Sequence, residues 1–267
     1  MNMNLTEIAF ILDRSGSMEH LTGSTISGFN EFLEKQKNLP GEAKLTTVLF
    51  DDTYELLHDA VDIKEVRPIT TNEYWTRGCT ALYDAVGKTI DNIGVRLAAT
   101  PEEERPSKVI VVITTDGYEN ASREYSQVDV KNKITHQTEK YSWEFIFLGA
   151  NINSEEVAAD IGICSAKAAN YAATNTGSFS MYAAVDCAVS SLRSTGSVSE
   201  SWADSLTDAA PDITLSSAKS YTDADAKVTI LSTDVDGVIT SINDRNVISS
   251  DNDRNTILSK TIVTPLE

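Results

Sequence analysis

Up to about residue 195, apolar positions follow two rhythms. Residues 7–12 are a short, nearly unbroken apolar run, and 45–50, 109–113 and 145–148 repeat it. Such runs predict strands covered on both faces. Between them the apolar spacing turns helical. Phe29, Phe32 and Leu33 share one face of a helix expected over 22–37, which the segment 38–41 with Pro40 ends. Leu82, Ala85, Val86, Ile90, Ile93 and Leu97 do the same for 81–97. A polar helix is expected over 126–140, and two more over 154–160 and 179–192. Residues 54–61 read as a strand joined to 45–50 by a short polar turn, hence a hairpin. Strands alternating with helices imply an α/β domain over 5–195, with a largely parallel sheet, doubly wound, and helices on both faces.

The pattern changes after residue 195. Residues 198–267 hold 12 acidic and 5 basic residues, two aromatics (Trp202 and Tyr221), and much Ser, Thr, Asp and Asn. This composition is poor material for an independent core. Residues 196–267 therefore read as an acidic extension. Within it, Tyr221, Ala224, Val228, Leu231, Val235, Val238 and Ile242 keep a 3-4 spacing that suits a coiled-coil stalk. The same stretch also suits a β-hairpin: strands at 227–232 and 238–242 around Asp236-Gly237. The opening "SAKSYTDADAKV" resembles shaft segments of phage tail fibres, which trimerise.

The chain has 267 residues and a formal net charge of −18. That charge repels phosphate backbones and anionic lipid, so no nucleic-acid or membrane partner is expected. Cys79, Cys164 and Cys187 are scattered and form no metal-binding pair. With no leader-like start and no membrane-length apolar run, a cytoplasmic location is expected, or a virion-associated one if the chain is phage-encoded.

Candidate chemistry lies where predicted strands stop. "ILDRSGSM" (11–18) ends the first apolar run at Asp13, with Ser15 and Ser17 following at every second position. Thr80 precedes the 81–97 helix in "RGCTALYDAV". Asp116 follows the 109–113 strand in "VVITTDG". The C-terminal ends of parallel strands share one edge, and ligand sites gather there. Two carboxylates and three hydroxyls are all hard oxygen donors, without His or Cys, which favours Mg²⁺ over zinc or copper. Each residue also has a plainer use. Asp13, the serines and Thr80 suit helix caps, and Asp116-Gly117 suits a turn. Asp51-Asp52 reads as a solvated turn, Cys79 as a small packing residue, and 251–255 as an incomplete calcium loop.

Asp13-x-Ser15-x-Ser17, Gly78-x-Thr80-x-Leu82-Tyr83-Asp84-Ala85 and Thr115-Asp116-Gly117 together resemble the von Willebrand factor A (vWA) domain and its metal-ion-dependent adhesion site (MIDAS). "DRSGSM" matches the form common in prokaryotic members, and the likeness covers 5–195. It implies a Rossmann-like, six-stranded, mostly parallel sheet with one antiparallel edge strand at 54–61. It implies Mg²⁺, with Mn²⁺ as an alternative, bonded by Ser15 and Ser17. Thr80 would bond it directly when ligand is present, and Asp13 and Asp116 would act mainly through water. A partner protein's Glu or Asp would complete the shell. In this family ligand binding can couple to the last helix, here 179–192.

The expected function is a metal-dependent protein-binding module, not an enzyme. Two rivals stand beside it. One is a virion or tail component that displays the domain on an oligomerising stalk. The other is a regulatory subunit of an ATPase or stress-response complex. Phosphoester hydrolysis is compatible with two carboxylates and a metal, but no general base or phosphate-clamping Arg cluster is recognisable.

Overall fold

β1 (Asn2–Asp13) is the spine of the molecule, because its nearly continuous apolar run can be buried only from both sides. It lies parallel to β2 (Glu42–Phe50) on one side and to β4 (Pro106–Thr115) on the other. β5 (Glu144–Gly149) and the three-residue β6 (Ala168–Asn170) extend the sheet beyond β4 in parallel. β3 (Tyr54–Asp62) pairs antiparallel with β2 and forms the other edge, giving the order β3-β2-β1-β4-β5-β6. This is a doubly wound, mostly parallel, Rossmann-like α/β sheet with its antiparallel edge at the hairpin strand, the strand arrangement that the resemblance to the vWA domain implies. The structure is a computed structural model. It describes residues 1–207 and, beyond them, 219–223, 228–232, 238–243 and 246–251.

The two faces of β1 divide the core. Ile8, Phe10 and Leu12 pack with Phe29, Phe32 and Leu33 of α1 (Thr22–Lys37) and with Met181, Tyr182 and Val185 of α5 (Asn175–Thr195). Ala9 and Ile11 face the other way, against Leu82, Val86 and Ile90 of α2 (Leu82–Ala99) and Val130 and Ile134 of α3 (Gln127–Tyr141). Successive strand residues point to opposite faces, so an apolar run without alternation needs helices on both. Each fully buried Phe or Leu contributes about 1.5–3 kcal/mol relative to exposure.

Polar contacts stiffen this frame. Ser126 and Asp129 form a capping box at the start of α3. Arg193 of α5 donates to the carbonyl oxygens of Gln36, Pro40 and Gly41 at 2.7, 3.3 and 3.3 Å. It thereby satisfies one carbonyl that α1 leaves open at its C-terminus, that of Gln36, and two of the turn that follows. Buried Glu7 accepts 2.8 Å and 3.3 Å bonds from Arg96 and a 2.9 Å bond from Thr46, so its charge is paired inside the sheet.

The chain folds as two compact units, Met1–Ala209 and Ala210–Glu267. Val198 and Trp202, beyond the compositional shift at 195, are buried in the core of the first. Trp202 also donates its indole N–H to the Ala166 carbonyl at 2.9 Å.

In the second unit, β7 (Lys219–Asp223), β8 (Val228–Ser232), β9 (Val238–Asn243) and β10 (Asn246–Asp251) pair antiparallel in the order β10-β9-β8-β7. A heptad seam requires helix, whereas 228–232 and 238–243 are extended and paired. The turn expected at Asp236-Gly237 and residues 252–255 of the calcium-like stretch lie outside the described residues. Among the described residues no helix is long and apolar enough to cross a membrane.

Candidate metal centre

The strand order reverses between β1 and β4: β1 leads to β2 on one side, and the later strands build outward on the other. Their C-terminal ends are therefore adjacent at the crevice where such folds bind ligands. Leu12 stands opposite Thr114 in the register, which sets Asp13 beside Thr115. Asp13 is fully buried. Its Oδ2 accepts a 2.6 Å bond from Thr115 Oγ1 and its Oδ1 a 2.7 Å bond from the Ser15 N–H. The second of these turns the chain so that Ser15 and Ser17 come around the strand end.

Ser15 Oγ and Ser17 Oγ lie 3.1 Å apart. Ser17 Oγ donates to Asp116 Oδ1 at 2.5 Å, across 99 positions of sequence. Asp116 Oδ2 is buried without a hydrogen-bond partner. Ser15, Thr80 and Asp116 are almost entirely buried, while Ser17 is exposed and opens the cluster to solvent. Thr80 Oγ1 lies 4.0 Å from the point where a Cβ on Gly117 would stand, which puts it against the Asp116-Gly117 turn.

Asp13 and Asp116-Gly117 do shape turns, but the capping uses of Ser15, Ser17 and Thr80 are not the ones observed. α2 has Ala81 at its N-cap position, with no side-chain cap bond, so Thr80 is not spent there. The 3₁₀ turn Gly16–Leu21 and α1 also start without side-chain cap bonds. The hydroxyls of Ser15 and Ser17 instead face each other and Asp116.

The five oxygens suit a hard divalent cation. Among the described residues no three His, Cys, Asp or Glu side chains group as a metal site, so a cation here must draw on hydroxyls. The 3.1 Å separation of the serine oxygens is close to the ~3 Å between adjacent ligands of an ion holding oxygens at about 2.0–2.1 Å. The orphaned Asp116 Oδ2 is the kind of buried acceptor that an ion or its water would satisfy. Burial pushes the Asp13 carboxyl up to about 6. Hydrogen bonds from Thr115 and Ser15 pull it down, and the charge of Asp116 adds to the rise.

Several supporting residues, Asp84 of the Gly78–Ala85 motif aside, carry no sequence signal of their own. Tyr74 donates its hydroxyl to the Asp13 carbonyl at 2.6 Å. Asn120 clamps Thr80 from both sides: its Oδ1 accepts the Thr80 N–H at 2.9 Å, and its own N–H donates to the Thr80 carbonyl at 3.0 Å. Asp84 accepts the N–H groups of Arg123, Glu124 and Tyr125, all at 2.8 Å, fastening the loop after β4 to α2. The His20 ring nitrogens lie 2.9 Å from the Ser17 carbonyl and 3.2 Å from the Ala173 carbonyl, tying the serine loop to the start of α5.

Two expectations need correction. Asp51 is not a solvated turn residue but fully buried. Its Oδ2 accepts from Arg14 Nε at 2.9 Å and Arg77 Nε at 2.7 Å, and its Oδ1 from the Thr53 N–H at 2.7 Å and from the Thr53 hydroxyl. Arg14 is itself fully buried, so its charge needs a carboxylate beside it. Cys79 is exposed and packs against no core. Gly78 explains why. It holds φ +65°, and its carbonyl accepts the Gly16 N–H at 3.2 Å, so the loop turns over the serine segment with Cys79 outward.

No family model matches the chain, and no curated protein matches it. Solved structures do. Proximal thread matrix protein 1 from the mussel byssus is 16% identical, with a TM-score of 0.49 over 72% of this chain and 46% of that one. A D319A mutant of the PilB minor pilin from Streptococcus sanguinis is 12% identical, with a TM-score of 0.47 over 72% and 63%. The manganese-loaded TRAP protein of Plasmodium vivax is 15% identical, with a TM-score of 0.42 over 59% and 62%. The chain spans less than two thirds of the length of each.

Proposed function

We propose that this chain is a metal-dependent protein-interaction module. Asp13, Ser15, Ser17, Thr80 and Asp116 would hold Mg²⁺, or Mn²⁺ in its place, at the C-terminal edge of the sheet. A Glu or Asp of a protein partner would be captured there. The observation that carries this reading is the convergence of Ser15, Ser17 and Asp116, with two hydroxyl oxygens 3.1 Å apart beside a buried, unpartnered carboxylate oxygen. The bound cation would supply the positive charge that draws an external carboxylate. Asp13 and Asp116 would nearly balance its charge, and the neutral hydroxyl donors would leave it electrophilic enough to take a carboxylate from outside.

The chain's own residues organise the site. Thr115 and the Ser15 N–H fix both oxygens of Asp13, Tyr74 anchors its backbone, and Asn120 sets the backbone of Thr80. The only exposed donor, Ser17, marks the side from which a partner would approach. In this reading the chain binds and does not catalyse. A metal–carboxylate contact is not selective by itself, so selectivity would come from the surrounding loops.

The test is calorimetric titration of Mg²⁺ and Mn²⁺ into the wild type and into Asp13→Ala/Ser15→Ala, with thermal melts of both. Binding by the wild type and its loss in a folded variant is the expected result. Equal binding by both proteins would rule the site out.

A further inference from the structure

The segment 74–80 is fastened to the candidate centre along its whole length. The Tyr74 hydroxyl donates to the Asp13 carbonyl, the Arg77 N–H to the Arg14 carbonyl at 2.9 Å, and the Gly16 N–H to the Gly78 carbonyl. Tyr74 points inward and is fully buried. Trp75, next to it, is 44% exposed, and the Arg77 side chain is 41% exposed. The Arg77 guanidinium lies over the Trp75 ring at 4.5 Å, and Arg14 approaches the same ring at 5.5 Å.

Arg77 is held in place on one side only. Its Nε is committed to Asp51, and its Nη2 donates to Thr53 Oγ1 at 3.0 Å. Its Nη1 has no such partner among the described residues. A guanidinium anchored by two donors and lying over an indole has already lost most of its rotamer freedom, so it can bind at small entropic cost. Trp and Arg are also the side chains that most often dominate protein interfaces. The charge of Arg77 is already opposed by Asp51, with Asp52 and Glu55 nearby, so what it offers a partner is the directed Nη1 donor and not a positive patch.

Resting on the metal-bridge reading, we infer that Trp75 and Arg77 form a specificity ledge: the partner is an acidic segment with two carboxylates, one directed at the metal centre and the second at Arg77 Nη1. The apolar stem of that second residue would lie along the exposed face of Trp75. A single directed donor of this kind discriminates between partners by the spacing of their carboxylates more than it adds affinity.

The experiment is a fluorescence-polarisation titration in Mg²⁺ with labelled glycine peptides. They carry one Glu, or two Glu separated by one, two or three glycines. At least one two-Glu peptide should bind about 5-fold or more tighter than the one-Glu peptide, in the range of an exposed, well-oriented ion pair. Arg77→Gln should abolish that preference without changing one-Glu affinity, and Arg77→Lys should retain part of it. Equal affinities in the wild type, or a preference that survives Arg77→Gln, would overturn the ledge while leaving the metal reading intact. If no peptide binds wild type better than Asp13→Ala, the metal reading fails and the ledge with it. Should Arg77→Gln not fold, salt titration of the wild type decides. A preference that persists at high salt overturns the proposal, and one that vanishes supports it.

Discussion

Thr115 Oγ1 donates to Asp13 Oδ2 at 2.6 Å, joining the ends of β4 and β1 across 102 positions of sequence. The same hydroxyl also reaches the Gly117 carbonyl at 3.0 Å. One threonine thus orients the buried carboxylate and the turn that carries Asp116. Thr115→Val keeps the shape and removes the hydroxyl whose single proton serves these acceptors, leaving a buried acceptor unsatisfied. We expect a loss of about 1–3 kcal/mol in stability. Mg²⁺ affinity should fall by about 10-fold or more, as when partners that orient a metal ligand are lost. Chemical denaturation and calorimetry on the same variant check the two effects separately.

Asn120 acts on Thr80 through the backbone. Asn120→Ala removes the acceptor for the Thr80 N–H, whereas Asn120→Asp keeps an oxygen there. Metal affinity should drop about 10-fold in the alanine variant and recover substantially in the aspartate variant. A parallel loss in both would mean that Asn120 supports the loop fold and not the position of Thr80.

Asp51 neutralises two arginines, one of them fully buried. Asp51→Ala leaves buried Arg14 with only the half-exposed Glu55, at 2.7 Å from its Nη1, and should cost about 3 kcal/mol, the low end for breaking a buried pair, whereas Asp52→Ala should stay within about 0.5 kcal/mol. Burial pushes the Asp51 carboxyl up, but hydrogen bonds from Thr53 and Arg77 outweigh it and hold the group at about 2. The folded value lies below the unfolded one. The resulting stability is therefore complete above pH ~4 and is lost as pH falls through about 2. Acid melts of the wild type should show a loss of about 2 kcal/mol over that window. Asp51→Asn should be less stable at neutral pH and should lack that part of the slope.

At Gly28 the Tyr182 ring of α5 packs directly against the backbone of α1. A Cβ there would stand 2.2 Å from the buried Tyr182 ring, while one on Gly23 meets nothing within 4 Å. Gly28→Ala should destabilise by about 1–3 kcal/mol through overpacking. Gly23→Ala should be neutral or stabilise by up to about 1 kcal/mol. Thermal melts of the two variants make the comparison.

Much of the architecture was legible because it is written in local periodicity. The unbroken apolar runs of β1 and β4 and the helical spacing in α2 report burial directly, and the hairpin of β2 and β3 needs only a short polar turn between two runs. The short β6 was not legible. Three residues, Ala168–Asn170, are too few to show a period, and their pairing with β5 is what makes them a strand. At 221–242 two signals competed: the 3-4 spacing suited a helix, while the β-branched content and the Asp236-Gly237 pair suited a hairpin.

The same division runs through the site. The sequence by itself determined which residue types end the strands: Asp13, Ser15 and Ser17 after β1, Thr80 before α2, and Asp116 after β4. Hydroxyls and carboxylates at strand ends carry their chemistry wherever the chain puts them. Only the tertiary structure decided that Ser17 meets Asp116, that Thr115 and Tyr74 hold Asp13, that Asp51 is buried between Arg14 and Arg77, and that Trp202 returns to the core. These contacts join positions between 26 and 102 residues apart, Trp202 aside. Such pairings depend on which strand lies beside which, a property of the assembled sheet that no local window of sequence contains.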